Sequence, residues 1–110
     1  MITKDLLDFL NAELSVGAYM EAPEQLTNYV LIDQTGTSRT NHIITTTVAI
    51  QSYAPSLYEA MLLNESVKAA MDKFAELAQV ASVEQNTDYN FTNTATKQYR
   101  WQALFAITHY

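Results

Sequence analysis

Apolar residues recur every three or four positions in some stretches of this chain and every second position in others. Ile2, Leu6, Leu7, Phe9, Leu10, Ala12 and Leu14 follow the first rule. That spacing predicts an amphipathic helix over residues 3–14, with Thr3 placed to cap its first turn and Asp5 near its positive end. Val16, Gly17, Ala18 and the segment around Pro23 break the period and read as a loop, because Pro23 steers Ala22 away from helical geometry. Two runs rich in β-branched and aromatic residues come next, Asn28 to Gln34 and His42 to Tyr53. The Gly36-containing polar stretch between them reads as a long, flexible hairpin tip. In the second run Ile44, Thr46, Val48 and Ile50 share one face, expected to be core. Ile43, Thr45, Thr47, Ala49 and Gln51 share the other, expected to be at least partly wet.

The helical period returns in "PSLYEAMLLNESVKAAMDKFAELAQV", which opens on a capping-box pattern, Ser56 to Glu59, just after Pro55. Leu57, Ala60, Leu63, Val67, Ala70, Met71, Phe74 and Leu77 form its apolar stripe, and Lys68 and Asp72 lie one turn apart on its polar side. Val80 to Tyr89 reads as a third strand diluted by Glu84, Gln85 and Asn86, and "NTDYNFTNTAT" as a second hairpin tip. The closing run alternates: Tyr99, Trp101, Ala103, Phe105 and Ile107 share one face, and Arg100, Gln102, Leu104, Ala106 and Thr108 the other. Burying Trp101, Phe105 and Ile107 contributes about 1.5–3 kcal/mol each, which marks this segment as an interior sheet strand rather than a tail. The expected fold is therefore α+β, an α/β sandwich in the order αββαββ. It has one mainly antiparallel sheet of about four strands, two helices to cover it, and a single domain over residues 1–110.

Composition changes this picture by exclusion. Of the 110 residues 48% are hydrophobic and only 16% charged, enough to bury a core. Twelve acidic residues against six basic ones give a net charge of -6, which argues against a nucleic-acid clamp. The absence of cysteine removes disulfide, thiolate and Cys–zinc chemistry and fits a cytosolic origin. "MITKDLLDFLNAELSV" carries Asp5, Asp8 and Glu13 within its apolar pattern, unlike a signal peptide, and no apolar run is long enough to span a bilayer.

The search for chemistry yields little. His42 and His109 belong to no metal-ligand spacing, and Asp33 facing His42 across the first hairpin is a common chance pairing. Glu84 and Asp88 can share a strand face as an acid pair, but read more simply as a solvated acidic rim. No serine sits in Gly-x-Ser-x-Gly, and two glycines, Gly17 and Gly36, cannot build a phosphate-cradling loop. The expectation is a protein without catalytic, cofactor or metal residues, not an enzyme.

Two strings suggest a family. "SYAPSLYEAMLLNESVKAAM", a strand ending in a small and aromatic pair before a Glu-Ala helix, and "YRWQALFAITHY", an Arg-aromatic-Gln final strand, resemble the small tail terminator or tail-completion proteins of long-tailed bacteriophages. The resemblance spans Leu6 to Tyr110 in element order and size. It implies a virion structural protein assembled in the bacterial host cytoplasm, a homo-oligomer that forms a hexameric ring, ends the tail tube and joins tail to head. The implied partners are the tail-tube protein and head–neck connector proteins, with DNA passing through unbound and no membrane involved. In that setting Thr35, Thr37, Arg39, Asn41, Asn90 and Asn93, on the two polar tips, are the expected subunit or partner contacts. Glu84 and Asp88 are the expected acidic lining of the lumen, where like charge would keep DNA from sticking. The alternatives are a small-molecule-binding or enzymatic α+β domain, with a pocket between sheet and helices lined by Tyr29, Tyr53, Trp101 and His109, and a generic regulatory adaptor.

Overall fold

In the computed structural model, which describes residues 1–110, the chain runs α1 (Ile2–Glu13), β1 (Ala18–Tyr19), β2 (Tyr29–Thr40), β3 (Ile43–Ala54), α2 (Leu57–Phe74), β4 (Val80–Asn90) and β5 (Tyr99–His109). The α+β class holds, but the sheet has five strands in the order β1-β2-β3-β5-β4. All pairs are antiparallel except β1 with β2. The element order is thus αβββαββ, the additional strand being Ala18–Tyr19 inside the stretch read as a loop. Asn11 sets it in place: its side chain accepts from the Ala18 N–H at 2.9 Å and donates to the Ala18 carbonyl at 3.1 Å. Two residues carry no period, so no alternation announces them.

The core forms where the alternating strands meet the helical stripes. β3 and β5 pair from Ile44↔His109 to Ala54↔Tyr99 without a slip, which places Val48 and Ile50 beside Ala103, Phe105 and Ile107 on one face, all buried. α2 lays Val67, Ala70, Met71 and Phe74 on that face, and α1 adds Leu6 and Leu10 beside it. The Phe9 and Phe74 rings, 5.3 Å apart, join the two helices. β5 is an interior strand, flanked by β3 and β4, as its apolar face requires.

Local chemistry matches the expected elements in some places and departs from them in others. The Ser56 hydroxyl accepts from the Glu59 N–H at 3.2 Å, so the capping box forms. Thr3 is not a cap: α1 begins at Ile2 with Met1 as its N-cap, and the buried Thr3 hydroxyl donates instead to the Gln34 side chain. The first hairpin has no long tip. Its strands continue to Thr40 and Ile43, leaving Asn41 and His42 as a two-residue turn with φ of 51° and 69°. Positive φ at both positions is the geometry that matches strand twist. Threonine explains the difference, since Thr37 and Thr40, opposite Thr46 and Ile43, are polar but β-branched and pair as strand.

Lys68 ignores Asp72. It pairs with Glu65 at 2.9 Å and reaches across to Asp88 of β4 at 3.1 Å. The Asn64 amide, 1% exposed, donates to the same Asp88 oxygen at 2.8 Å. These bonds tie the outer strand β4 to α2. Burial works against the Asp88 charge, but the hydrogen bonds from Lys68 and Asn64 and the nearby ammonium outweigh it and hold its carboxyl below the usual value of 3.8. The bonds from Glu65 and Asp88 hold the Lys68 ammonium above its usual value of 10.5.

Two outcomes are expected from this architecture. Deleting Phe105 to Tyr110 removes core side chains and the ladders to both β3 and β4, so the truncated chain loses its near-ultraviolet circular dichroism; retention of a native spectrum would show that β5 is dispensable. Asp88→Asn loses about 1 kcal/mol at neutral pH in chemical denaturation. Because the folded Asp88 value is lowered, the wild-type advantage is complete above about pH 4 and fades as pH falls further. Because the folded Lys68 value is raised, that side of the tie is complete below about pH 10.5 and fades above it. An advantage unchanged between pH 7 and pH 2.5 would contradict the Asp88 assignment.

Candidate functional site

Both helices lie on one side of the sheet, where α2 packs on β3, β5 and β4 and α1 packs beside it on α2 and β1. No helix lies on the other side. Strand parity puts Leu31, Ala49, Leu104 and Ala106 along the middle of this uncovered face, with Thr45, Thr47 and Thr108 towards the first hairpin turn. At the opposite end the face becomes aromatic and amide-rich. There Arg100 Nη1 donates to the Tyr53 hydroxyl at 3.1 Å, Tyr53 donates to Gln51 Oε1 at 2.7 Å, and Gln51 Nε2 donates to Gln102 Oε1 at 2.8 Å. Gln102 in turn donates to the Tyr89 hydroxyl. A single hydrogen-bonded chain therefore crosses β3, β5 and β4.

Stacking fixes the end of that chain. The Tyr29 and Tyr53 rings are stacked at 4.4 Å, and the Arg100 guanidinium lies 4.4 Å from the Phe91 ring centre while its Nε donates to the Phe91 carbonyl at 2.6 Å. Burial, and then the neighbouring Tyr53, push the Tyr29 phenol up, with Arg100 pulling the other way. Stacking and hydrogen bonds thus hold these side chains in one arrangement, with Tyr29, Tyr53 and Gln102 buried within it. Tyr89 and Phe91 are its exposed members.

The sheet also has two free edges on opposite sides. β4 is unpaired along its outer side, and β1 covers β2 only at Val30 and Leu31, so Ile32 to Thr40 form the second edge. Each edge strand is bulged near its middle, at Thr35 between Gln34 and Gly36 and at Asn86 between Gln85 and Thr87. The Thr35 hydroxyl donates to the Thr47 hydroxyl at 3.0 Å across the bulge.

The residues expected to act together are distributed over this frame. Thr35 is exposed on its bulge, Thr37 and Arg39 project to the helix side beyond the start of α1, and Asn41 is in the turn. Asn90 and Asn93 are at the other end of the sheet, where they shape the 91–98 loop: Asn90 Oδ1 accepts from the Thr92 N–H at 3.0 Å and Asn93 Oδ1 from the Ala95 N–H at 3.1 Å. Glu84 and Asp88 do not form an acid pair. Glu84 lies opposite Ala106 and Asp88 opposite Ala103, so the bulge between them turns the two carboxylates to opposite faces. Asp33 lies opposite Ala49, away from His42 in the turn, and that pairing does not form either.

The pocket drawn from Tyr29, Tyr53, Trp101 and His109 does not exist. The two tyrosines are on the uncovered face, Trp101 is on the helix face, and His109 is at the opposite end of the sheet. Sequence reasoning passed over Gln51, Gln102 and Tyr89, although Arg100, Gln102 and Leu104 recur as long side chains on the second face of the final strand. Set against known protein families and curated proteins, the chain matches none.

Proposed function

We propose that the chain is a non-enzymatic structural subunit that closes into a ring by head-to-tail contacts, the ring that ends the tail tube of a long-tailed bacteriophage and joins it to the head. The observation that carries this reading is the pair of free edges, β4 on one side of the sheet and the outer part of β2 on the other. A cyclic ring needs two different, mutually complementary patches on each subunit, and opposite edges of one sheet are such a pair. Joining β4 of one copy to β2 of the next satisfies the unpaired main-chain groups of both and extends the sheet around the ring. The uncovered face, with its ordered Tyr–Gln–Arg chain, is then available to the tail tube or to a neck protein. The six-fold symmetry and the phage setting come from the resemblance of the two sequence strings and from the chain's size.

Charge placed at the bulges tests the assembly. Thr35→Lys on β2 and Asn86→Lys on β4 each disturb one edge at an exposed position outside the paired register. By light scattering and native mass spectrometry the unaltered chain forms closed rings visible by electron microscopy, and each variant alone falls to small species with an unchanged circular dichroism spectrum. Mixed in equal amounts, the two variants form a dimer and nothing larger, because only one intact β4 edge and one intact β2 edge remain to meet. A symmetric dimer that survives the Thr35→Lys change would indicate β4-to-β4 pairing and rule out the head-to-tail ring.

A further inference from the structure

β2 begins, β3 ends and β5 begins at one end of the sheet, away from the first hairpin's turn, and with the neighbouring loops they enclose a cleft of about 290 Å³. Its wall is largely apolar: three tyrosines, Tyr29, Tyr53 and Tyr99, are joined by Leu26 and Pro55. Apolar and aromatic walls with a few polar groups are the make-up of small-molecule sites.

Two polar groups in this wall are unused. Tyr29 is 3% exposed, and its hydroxyl makes no hydrogen bond within the chain. Tyr53 differs, since its ring stacks on Tyr29 at 4.4 Å but its hydroxyl is taken up by Gln51 and Arg100. A buried phenol costs free energy unless its O–H finds a partner, and burial holds the Tyr29 phenol protonated and therefore a donor. The second group is Lys97. In a chain with twice as many acidic as basic residues, Lys4, Lys68 and Lys73 are each engaged by a carboxylate, whereas Lys97 has no acidic partner and no carboxylate lines the cleft. The loop that carries it is pinned, because Asn93 and Gln98 exchange both main-chain hydrogen bonds at 3.1 Å.

We propose that this cleft binds a small aromatic carboxylate, its ring against Leu26, Pro55 and Tyr99 and its carboxylate between the Tyr29 hydroxyl and the Lys97 ammonium. One ammonium and one hydroxyl match a carboxylate, which only accepts hydrogen bonds and carries a single charge. A phosphate would leave its second charge and most of its acceptors unmatched. Tyrosine rings favour an aromatic body over an aliphatic one through stacked or edge-on contact.

Phenylacetate is the probe, titrated into the full chain at constant ionic strength with amide and aromatic resonances followed by NMR. The expected result is saturable shifts at Leu26, Tyr29, Lys97 and Tyr99, with a dissociation constant on the order of millimolar. Tyr29→Phe keeps the stacked ring, removes only the hydroxyl and weakens binding about tenfold. Lys97→Gln weakens it by about the same factor and Lys97→Arg restores it. Lys4→Gln, which removes the same charge from α1, leaves binding intact. Equal losses in Lys4→Gln and Lys97→Gln would reduce the effect to overall charge and overturn the site, as would unweakened binding by Tyr29→Phe. A response to acetate as strong as that to phenylacetate would overturn the aromatic assignment. N-acetylphenylalanine presents the same group at the end of a peptide; tighter binding of it assigns the cleft to a peptide terminus and weaker binding to a free acid, and either order supports the site.

Discussion

The ladder between β3 and β5 is the constraint on which the other elements depend. It runs from Ile44↔His109 to Ala54↔Tyr99 without a slip, while the ladders on either side of it both shift register. An unbroken central pair fixes which side of each strand is apolar, and a one-residue error there would turn Phe105 and Ile107 to solvent. The outer strands are under less demand. β2 absorbs one additional residue as a bulge and β4 absorbs two, at Ala81 and Asn86, and each bulge increases local twist and reverses the facing of the residues beyond it. Parity is why Gln34 and Thr37, three positions apart, both face the helices, and why Glu84 and Asp88, four apart, do not share a face.

A second consequence is geometric. Strands of eleven or twelve residues extend about 40 Å at the usual rise, close to the 45 Å long dimension of the molecule, whereas the eighteen residues of α2 cover about 27 Å. One helix layer is therefore too short for the sheet and lies on one side of it only. Where cover ends, the helix-facing positions change from Val30 and Ile32 to Gln34, Thr37 and Arg39 along β2, and from Ile50 and Val48 to Thr46 along β3. The same shortage leaves Leu31, Ala49 and Leu104 on a face with no second layer. Their neighbours keep them partly dry: Ala49 is 3% exposed although no helix covers it.

Legibility in the sequence tracks period length. α2, β3 and β5 each carry a regular pattern over ten residues or more, and their faces can be read from Val67, Val48 or Phe105 alone. The two-residue β1 cannot, since Ala18 and Tyr19 are held by Asn11 and by β2 rather than by any pattern of their own. The first hairpin departs from its sequence reading for a physical reason: Thr and Ser look like loop residues by polarity, yet Thr37, Thr40 and Thr45 are β-branched and pair well, so the strands run on to Asn41 and His42. Bulges are invisible because nothing in Gln34-Thr35-Gly36 or Gln85-Asn86-Thr87 marks a parity change. The candidate site suffers most from this. Of the contact residues expected on the tips, Thr35, Thr37 and Arg39 lie within β2 while Asn41 and Asn93 stay in turn and loop, and Arg39 reaches His109 only through three paired strands.

The bulges also bear on how edges like these can be used. A long, flat, uncharged edge pairs indiscriminately, and natural sheets guard such edges with Lys, Pro or bulges. Neither β2 beyond Leu31 nor β4 contains Lys or Pro, and their charges are few: Asp33, Arg39, Glu84 and Asp88, the last already engaged by α2. Each edge instead carries a mid-strand bulge, which twists the edge away from indiscriminate pairing, so the guard is one of shape rather than of charge.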